Sequence, residues 1–350
     1  MGADFVSKAD IPHVLVAGIG GASLGTEVLK ALTLAGGYYV SGCDISPLAF
    51  GHYCGLCRNS FLIDQNDYAQ RLLDLCKRER IDIVVPGGEQ PARLIADASS
   101  HFASEEIAIA ANSADVVKKL GDKILCFAEL KRLGIAVPET VPLTDPGFDE
   151  SAPVPCIIKP AAESGGSSFV FYAGNREAVR MYAAYLRRND LRPIAQEYVP
   201  HKGGEFTVGV LSGRDGEIFG SIALRREFPA KLSIAARGND FLISSGYSQG
   251  YIAPNDLVCG AAEAIAAAVA STGPLNVQGR INGKGKFLSF EVNPRFSAST
   301  YLRALAGFNE VDYYVRHILG LPQRASLAVR SGWYLRGLSE AAVAPEALVS

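Results

Sequence analysis

The chain has little charge imbalance, no long apolar run and no pattern of paired cysteines, and each shortage excludes a class of protein. Its 34 Lys and Arg against 36 Asp and Glu leave a net charge of −2. Such a balance offers no basic field to hold nucleic acid or an anionic membrane surface. The opening MGADFVSKAD is polar and lacks the apolar core of a signal peptide. No uninterrupted apolar stretch reaches the ~18 residues of a membrane span, and the Ala-rich run from Ala261 to Ala270 is short and contains Glu263. The 7 cysteines are odd in number and scattered, the usage expected of reduced thiols in a cytoplasmic protein. Cys54 and Cys57 form a CxxC with no second pair or nearby His, which reads as two ordinary thiols rather than a zinc site. The 5 histidines are isolated, and no Ser-His or Cys-His set offers a side-chain nucleophile.

What is present suits a globular protein with a sizeable core. At 350 residues and 48% hydrophobic content, the chain has room for two or three domains of ~100–200 residues. Its first 115 residues alternate strand and helix patterns. Apolar strands are expected at His13–Ala17, Tyr39–Cys43, Ile81–Val85 and Ile107–Ala110. An amphipathic helix is expected over Tyr68–Arg78, with Leu72, Leu75 and Cys76 on one face. An open, mostly parallel α/β sheet follows from that alternation. Beyond Asp115 the texture changes. A helix carries Lys123 and closes at Leu133-Gly134 before Pro138. A Pro-rich stretch then leads into strand pairs joined by glycine loops. The expected boundaries lie near 115 and, more softly, near 200, with residues 326–350 as a tail.

The most informative segment is NVQGRI-NGKGK-FLSFEVNPR, from Asn276 to Arg295. Two strands rich in apolar residues around a Gly-containing turn read as a β-hairpin. Placing Gln278 opposite Glu291 leaves Gly283 to Lys286 as a loop. Strict alternation then gives a face of Asn276, Gln278, Arg280, Ser289, Glu291 and Asn293. Val277, Ile281, Leu288, Phe290 and Val292 take the other face. The oxygens of Gln278, Glu291 and Asn293 suit magnesium, which is held by one or two carboxylates plus substrate phosphates. The guanidinium of Arg295 matches phosphoryl oxygens. A solvated polar face explains the alternation equally well, but not FEVNPR.

FEVNPRFSAST preceded by NVQGR resembles the metal-binding end of ATP-grasp enzymes, in particular the carbamoyl-phosphate synthetase large-chain branch. In that branch the three metal positions hold Gln, Glu and Asn, matching Gln278, Glu291 and Asn293, and the Arg after Asn-Pro matches Arg295. Many other members carry an acid where Gln278 stands. The resemblance implies an N-terminal open parallel α/β (pre-ATP-grasp) domain, residues 1–115. It is followed by a two-lobed ATP-grasp domain of mixed α/β and α+β character, residues 116–325. The small lobe would cover about 125–200 and the large lobe about 200–325.

Upstream segments extend the likeness. In GDKILCFAELKRLGIAVPET, Lys123 matches the first ATP-contacting basic residue. In VPCIIKPAAESGGSSFVFY, Lys159 ends an apolar strand, where a lysine can approach phosphates as a point charge. Gly165 and Gly166 let backbone N–H groups face phosphate oxygens, and Ser164, Ser167 and Ser168 add hydroxyls. IAQEYVPHKGGEFTVGVL resembles the hinge between lobes. There Glu197, Tyr198 and Val199 match the stretch that meets adenine in the family, and Glu205 matches an acidic position near ribose or metal.

Other motifs keep two readings. GIGGASLG follows a strand, but a dinucleotide fingerprint would need glycine where Ser23 stands. Glu89, in Pro-Gly-Gly-Glu, either recognises a substrate amine or stabilises a helix N-terminus. Among Arg225, Arg226, Lys231 and Arg237, one or two are candidates for a substrate carboxylate or acyl phosphate, Arg225 foremost. The resemblance implies ATP with Mg2+ (or Mn2+), a small-molecule carboxylate and amine as substrates, and a C–N bond-forming ligase, for which a homodimer is a compatible assembly. Phosphorylation of bicarbonate or carbamate is the alternative, and an NAD-binding oxidoreductase a lesser one.

Overall fold

A computed structural model describes residues 11–20, 24–162, 168–229 and 231–349. The chain divides into two compact units. The first comprises residues 1–114, 295–328 and 337–350, and the second 115–294 and 329–336.

The first unit is built on five parallel strands, β1 (His13–Ala17), β2 (Tyr39–Asp44), β3 (Asn59–Leu62), β4 (Ile83–Pro86) and β5 (Ala108–Ile109), in the order β3-β2-β1-β4-β5. The sequence foresaw four of them. The edge strand β3, NSFL, has a half-exposed pattern too short to stand out from a loop. The central strands β1 and β4 are almost wholly buried, as parallel strands covered on both faces must be. Helices α1 (Leu24–Ala35), α2 (Tyr68–Glu79), α3 (Glu89–Asp97) and α4 (Ser99–Ser104) connect them. On α2 the buried residues are Tyr68, Leu72, Leu73, Leu75 and Cys76, a stripe at helical spacing that packs with Leu15, Val84 and Ile95. Each fully buried large apolar side chain of this cluster contributes about 1.5–3 kcal/mol to the stability of the unit.

The second unit opens with α5 (Ala114–Gly121) and α6 (Lys123–Arg132). The Asp122 carboxylate accepts from the N–H groups of Ile124 (2.8 Å) and Leu125 (3.2 Å) to start α6. Gly134 at φ +76° ends it, the left-handed conformation expected at a helix C-terminus. A four-stranded antiparallel sheet follows from β6 (Thr140–Pro142), β7 (Cys156–Pro160), β8 (Phe171–Ala173) and β9 (Pro193–Glu197), in the order β6-β9-β7-β8. Helix α7 (Arg176–Arg188) is capped by Asn175 and covers this sheet with Val179, Ala183 and Leu186.

The large antiparallel sheet runs β16-β15-β10-β11-β14-β17. Its strands are β10 (Glu205–Ser212), β11 (Ile218–Arg226), β14 (Gly250–Ile252), β15 (Pro274–Ile281), β16 (Phe287–Asn293) and β17 (Gly332–Tyr334). A separate pair, β12 (Ile234–Arg237) and β13 (Leu242–Ser244), stands beside it. Helix α8 (Asp256–Ala268) joins α5 and α6 on the apolar face of the large sheet, around Val208, Val277 and Val292.

After β16 the chain returns to the first unit as α9 (Thr300–Leu305) and α10 (Glu310–Ile318). Asn309 donates to the carbonyl of Ala31 (2.9 Å), Tyr314 to that of Ala111 (3.1 Å) and Arg324 to that of Ala35 (2.8 Å). The hydroxyl of Tyr38 bonds Asp312. Residues 295–328 thus pack with the N-terminal unit, where the sequence reading had run the second domain to residue 325. Among the described residues no helix is long and apolar enough to cross a membrane.

Candidate nucleotide and metal site

The second unit holds a cavity of about 100 Å3 whose walls include Lys123, Lys159, Glu197, Tyr198, Gln278 and Glu291. The small sheet, the hinge after β9 and the β15–β16 hairpin all reach it.

In the hairpin, Gln278 pairs with Glu291 and Asn276 with Asn293, the register the sequence indicated. The alternation beyond them is different. A bulge between Gln278 and Gly279 pairs Gly279 with Ser289 and Arg280 with Leu288, leaving Phe290 as the extra residue. Two expectations are thereby overturned. Ser289 was placed on the polar face, yet it is fully buried, with its hydroxyl bonded to the carbonyls of Gln278 and Glu291 at 3.2 Å each. Phe290 was placed on the apolar face, yet it lines the cavity beside Glu291. Gly279 permits this arrangement. A Cβ there would meet the Phe287 ring at 2.4 Å and the Leu288 carbonyl oxygen at 2.6 Å, so Phe287 turns into the core with Val277 and Val292.

Gln278 Nε2 donates to Glu291 Oε2 at 2.7 Å, which holds the two side chains together at the cavity wall. Asn293 is buried, and its Nδ2 has no hydrogen-bond partner. An orphaned amide nitrogen costs stability in an apolar setting, and turning the amide to offer its oxygen to a cation would make the position productive. One carboxylate with two amides is too weak a cage to hold a divalent ion by protein alone. It does fit magnesium that arrives with nucleotide phosphates. Among the described residues, no group of three or more His, Cys, Asp and Glu side chains could hold a metal by itself.

Lys159, at the end of β7, is 7% exposed. Its Nζ donates to Gln196 Oε1 (2.8 Å) and to the carbonyl of Phe290 (2.9 Å), the residue that the bulge turns toward it. Burial, followed by the like charge of Lys123, brings its pKa down to about 7, against the opposing pull of Glu291. Lys123, the first residue of α6, is tied by its N–H to the carbonyl of Ala161 at 2.8 Å. The loop residues Ser164, Gly165, Gly166 and Ser167 lie outside the described residues.

At the hinge, the Glu197 carboxylate accepts from the N–H of Glu139 (3.2 Å), and the Tyr198 hydroxyl accepts from the N–H of Leu242 (2.9 Å). The Val199 carbonyl accepts from Arg280 Nη1 at 2.7 Å, and a second Arg280 nitrogen donates to the Leu242 carbonyl at 2.7 Å. Arg280 had no assigned role in the sequence. It lines the cavity and ties its own strand to two segments that lie 38 and 81 residues away in the chain.

Glu205 is not brought into the cavity. It stands on β10 between its two cross-strand neighbours, Arg226 and Arg280, at 3.2 and 2.7 Å. Burial alone would favour its neutral form, but the two guanidinium groups hold its pKa below the usual carboxylate value. Arg226 is itself buried and donates to the carbonyls of Ser245 and Tyr247, which marks it as a tie within the unit. Arg225 is exposed and faces Glu227 at 3.6 Å. In the first unit, Glu89 opens α3 and lies 3.9 Å from Arg295 Nη2, while Arg295 Nη1 donates to the carbonyl of Phe296.

No protein-family model and no curated protein sequence matches the chain. Solved structures do. The ADP complex of an N5-carboxyaminoimidazole ribonucleotide synthetase matches at 15% identity and a TM-score of 0.66, over 92% of this chain and 80% of that one. The biotin carboxylase domain of the Hydrogenobacter thermophilus 2-oxoglutarate carboxylase, solved with MgADP and bicarbonate, gives 18% identity and 0.63, over 90% and 71%. An L-amino acid ligase from Bacillus licheniformis gives 12% and 0.66, over 88% and 74%. Identities this low speak for architecture only. A parallel five-stranded unit followed by a small and a large antiparallel sheet is the architecture of the ATP-grasp fold, and the chain has that fold.

Proposed function

We propose that the protein is an ATP-dependent ligase that activates a carboxylate as an acyl phosphate and couples it to an amine. The observation that carries this reading is the set of groups in one cavity: the lysines 123 and 159, the hinge residues 197–199 and the Gln278–Glu291 pair. Two cations, a hinge edge and an oxygen-bearing wall are what a nucleotide triphosphate requires. In the matched structures the corresponding ligands are ADP, or MgADP with bicarbonate.

In the proposed reaction, a carboxylate oxygen attacks the γ-phosphorus, and the bond to the β–γ bridging oxygen breaks with its electron pair going to ADP. The amine nitrogen then attacks the acyl carbon. Phosphate leaves with the C–O electron pair, and the amine proton passes to solvent. Lys159 and Lys123 bind phosphate oxygens and hold them in position, the main catalytic contribution available in phosphoryl transfer. Gln278, Glu291 and Asn293 are the residues that would hold Mg2+ (or Mn2+), whose charge neutralises the phosphates. Arg295 follows Asn293 by two residues in the sequence and is assigned to the transferring phosphoryl group. Glu89 and Arg225 remain the proposed contacts for amine and carboxylate. The amide at Gln278, where many relatives have an acid, favours bicarbonate or carbamate phosphorylation as the second reading.

The test is ADP release by the purified protein with Mg-ATP and pooled carboxylic acids and amino acids. Release that requires both an acid and an amine supports the ligase, and release with bicarbonate alone supports the second reading. Glu291→Ala should lower turnover by at least about 100-fold, the scale of removing one electrostatic catalytic group, while the protein stays folded. Normal turnover in that variant sinks the metal assignment.

A further inference from the structure

Arg280 makes more contacts in the second unit than its charge requires. It stands on β15 and is 5% exposed, with Nε 2.8 Å and Nη2 2.7 Å from the Glu205 carboxylate. Arg226 already faces that carboxylate at 3.2 Å, so one guanidinium would balance the one negative charge. A second buried cation carries a desolvation cost that charge balance does not offset. What Arg280 adds is the rest of its planar fork. Its Nη1 donates to the Val199 carbonyl and its Nη2 to the Leu242 carbonyl, each at 2.7 Å. The ring centroids of Tyr198 and Phe290 lie 5.3 and 5.7 Å from its guanidinium carbon, within reach of cation–π attraction. All four of these partners line the same cavity as Arg280.

Leu242 belongs to the β12–β13 pair, whose strands form a sheet of their own and join no other ladder. A two-stranded ribbon is marginally stable by itself, so contacts with the rest of the unit must seat it. Those contacts converge on Arg280 and its neighbours. Leu242 is held at both of its backbone groups, by Arg280 at the carbonyl and by the Tyr198 hydroxyl at the N–H (2.9 Å). Arg226 binds the carbonyls of Ser245 and Tyr247, just beyond β13. Phe241 stacks on Tyr172 with centroids 4.3 Å apart, and Tyr172 meets Tyr198 edge-on at 5.2 Å. Leu242, Ile243 and Ser244 thereby line the cavity together with the hinge residues 197–199.

We infer that Arg280 is a positioning residue that seats the β12–β13 pair against the hinge and so shapes the end of the cavity that receives the nucleotide base. It acts through Val199 and Leu242. Its donors are engaged by Glu205 and these two carbonyls, which leaves the phosphates to Lys123 and Lys159. The inference rests on the reading of this cavity as a nucleotide site and adds to it the residue that fixes the base-binding wall.

Calorimetric binding of adenosine and of magnesium tripolyphosphate to the full chain reads the two ends of the cavity separately. Arg280→Gln removes the fork and leaves Glu205 balanced by Arg226. It should weaken adenosine binding about tenfold, roughly 1.4 kcal/mol, and leave tripolyphosphate binding within about twofold of wild type. Amide exchange should quicken in peptides of residues 234–244 and stay unchanged in α8. Arg280→Lys keeps the charge, but a point charge cannot span the three acceptors, so it should show the same split. That variant carries the test if Arg280→Gln fails to fold. Full rescue by lysine, equal loss of both ligands, or wild-type adenosine affinity in a folded variant would overturn the assignment. A wild-type chain that binds neither probe would overturn the nucleotide reading itself, a failure distinct from one confined to the variants.

Discussion

Lys159 carries a charge that its surroundings oppose. With a folded pKa of about 7 against the usual 10.5, it is largely neutral at pH 8 in the folded chain and protonated in the unfolded one. The unfolded state therefore binds more protons between those values, and folding stability contributed by this group rises with pH from about 7 upward. The slope approaches about 1.4 kcal/mol per pH unit. Urea denaturation at pH 7.0 and 8.5 should show Lys159→Met losing about 1–2 kcal/mol of that pH-dependent gain relative to wild type. The same group should take up a proton when a phosphate docks at pH 8. Nucleotide-binding heats would then differ between buffers of different ionisation enthalpy, and identical pH slopes and buffer-independent heats would contradict both points. The residue type and strand position of Lys159 were legible in the sequence. The pKa was not, because it depends on Lys123 and on burial contributed by three separate segments.

At the scale of the element, the β15–β16 hairpin shows how one residue redirects a surface. Its strands, turn and the Gln278–Glu291 pair follow from alternation and a glycine turn. The bulge does not, since a period-2 pattern carries no sign of an inserted residue when Phe and Ser can each occupy either face. Gly279 is the residue that enables it, and Gly279→Ala should force the Phe287 ring or the Leu288 carbonyl to shift. The expected cost is about 1–3 kcal/mol in chemical denaturation, typical of overpacking, with a loss of nucleotide affinity because Phe290 and Glu291 move together. A Gly279→Ala protein of wild-type stability would mean that the bulge tolerates a side chain. Helix α6 is the contrasting case. Its Asp122 cap, its Lys123 start and its Gly134 stop are all local in sequence, and the expected helix formed where the signals stood.

At the scale of the molecule, the first unit is not continuous in the chain. Helix α1 is covered by α9 and α10, which follow residues 115–294 in the sequence. Residues 1–114 expressed alone would leave Ala31 and Ala111 without their bonds from Asn309 and Tyr314, and would expose one side of α1. That fragment should lack a cooperative thermal transition by circular dichroism, and a sharp melt from it would show that α9 and α10 are dispensable for the unit's fold.

The sequence by itself determined four of the five parallel strands, helices α2 and α6, the hairpin pairing and the residues of the Asn-Pro-Arg segment. All of these arise from side-chain periodicity, capping and turn chemistry within a few residues. Only the tertiary structure decided that Phe290 enters the cavity, that Glu205 is taken by Arg226 and Arg280, and that residues 295–328 pack with the N-terminal unit. The physical reason is common to the three. Each depends on which distant groups share a buried space, and burial and pairing between segments tens or hundreds of residues apart leave no local signal in the chain.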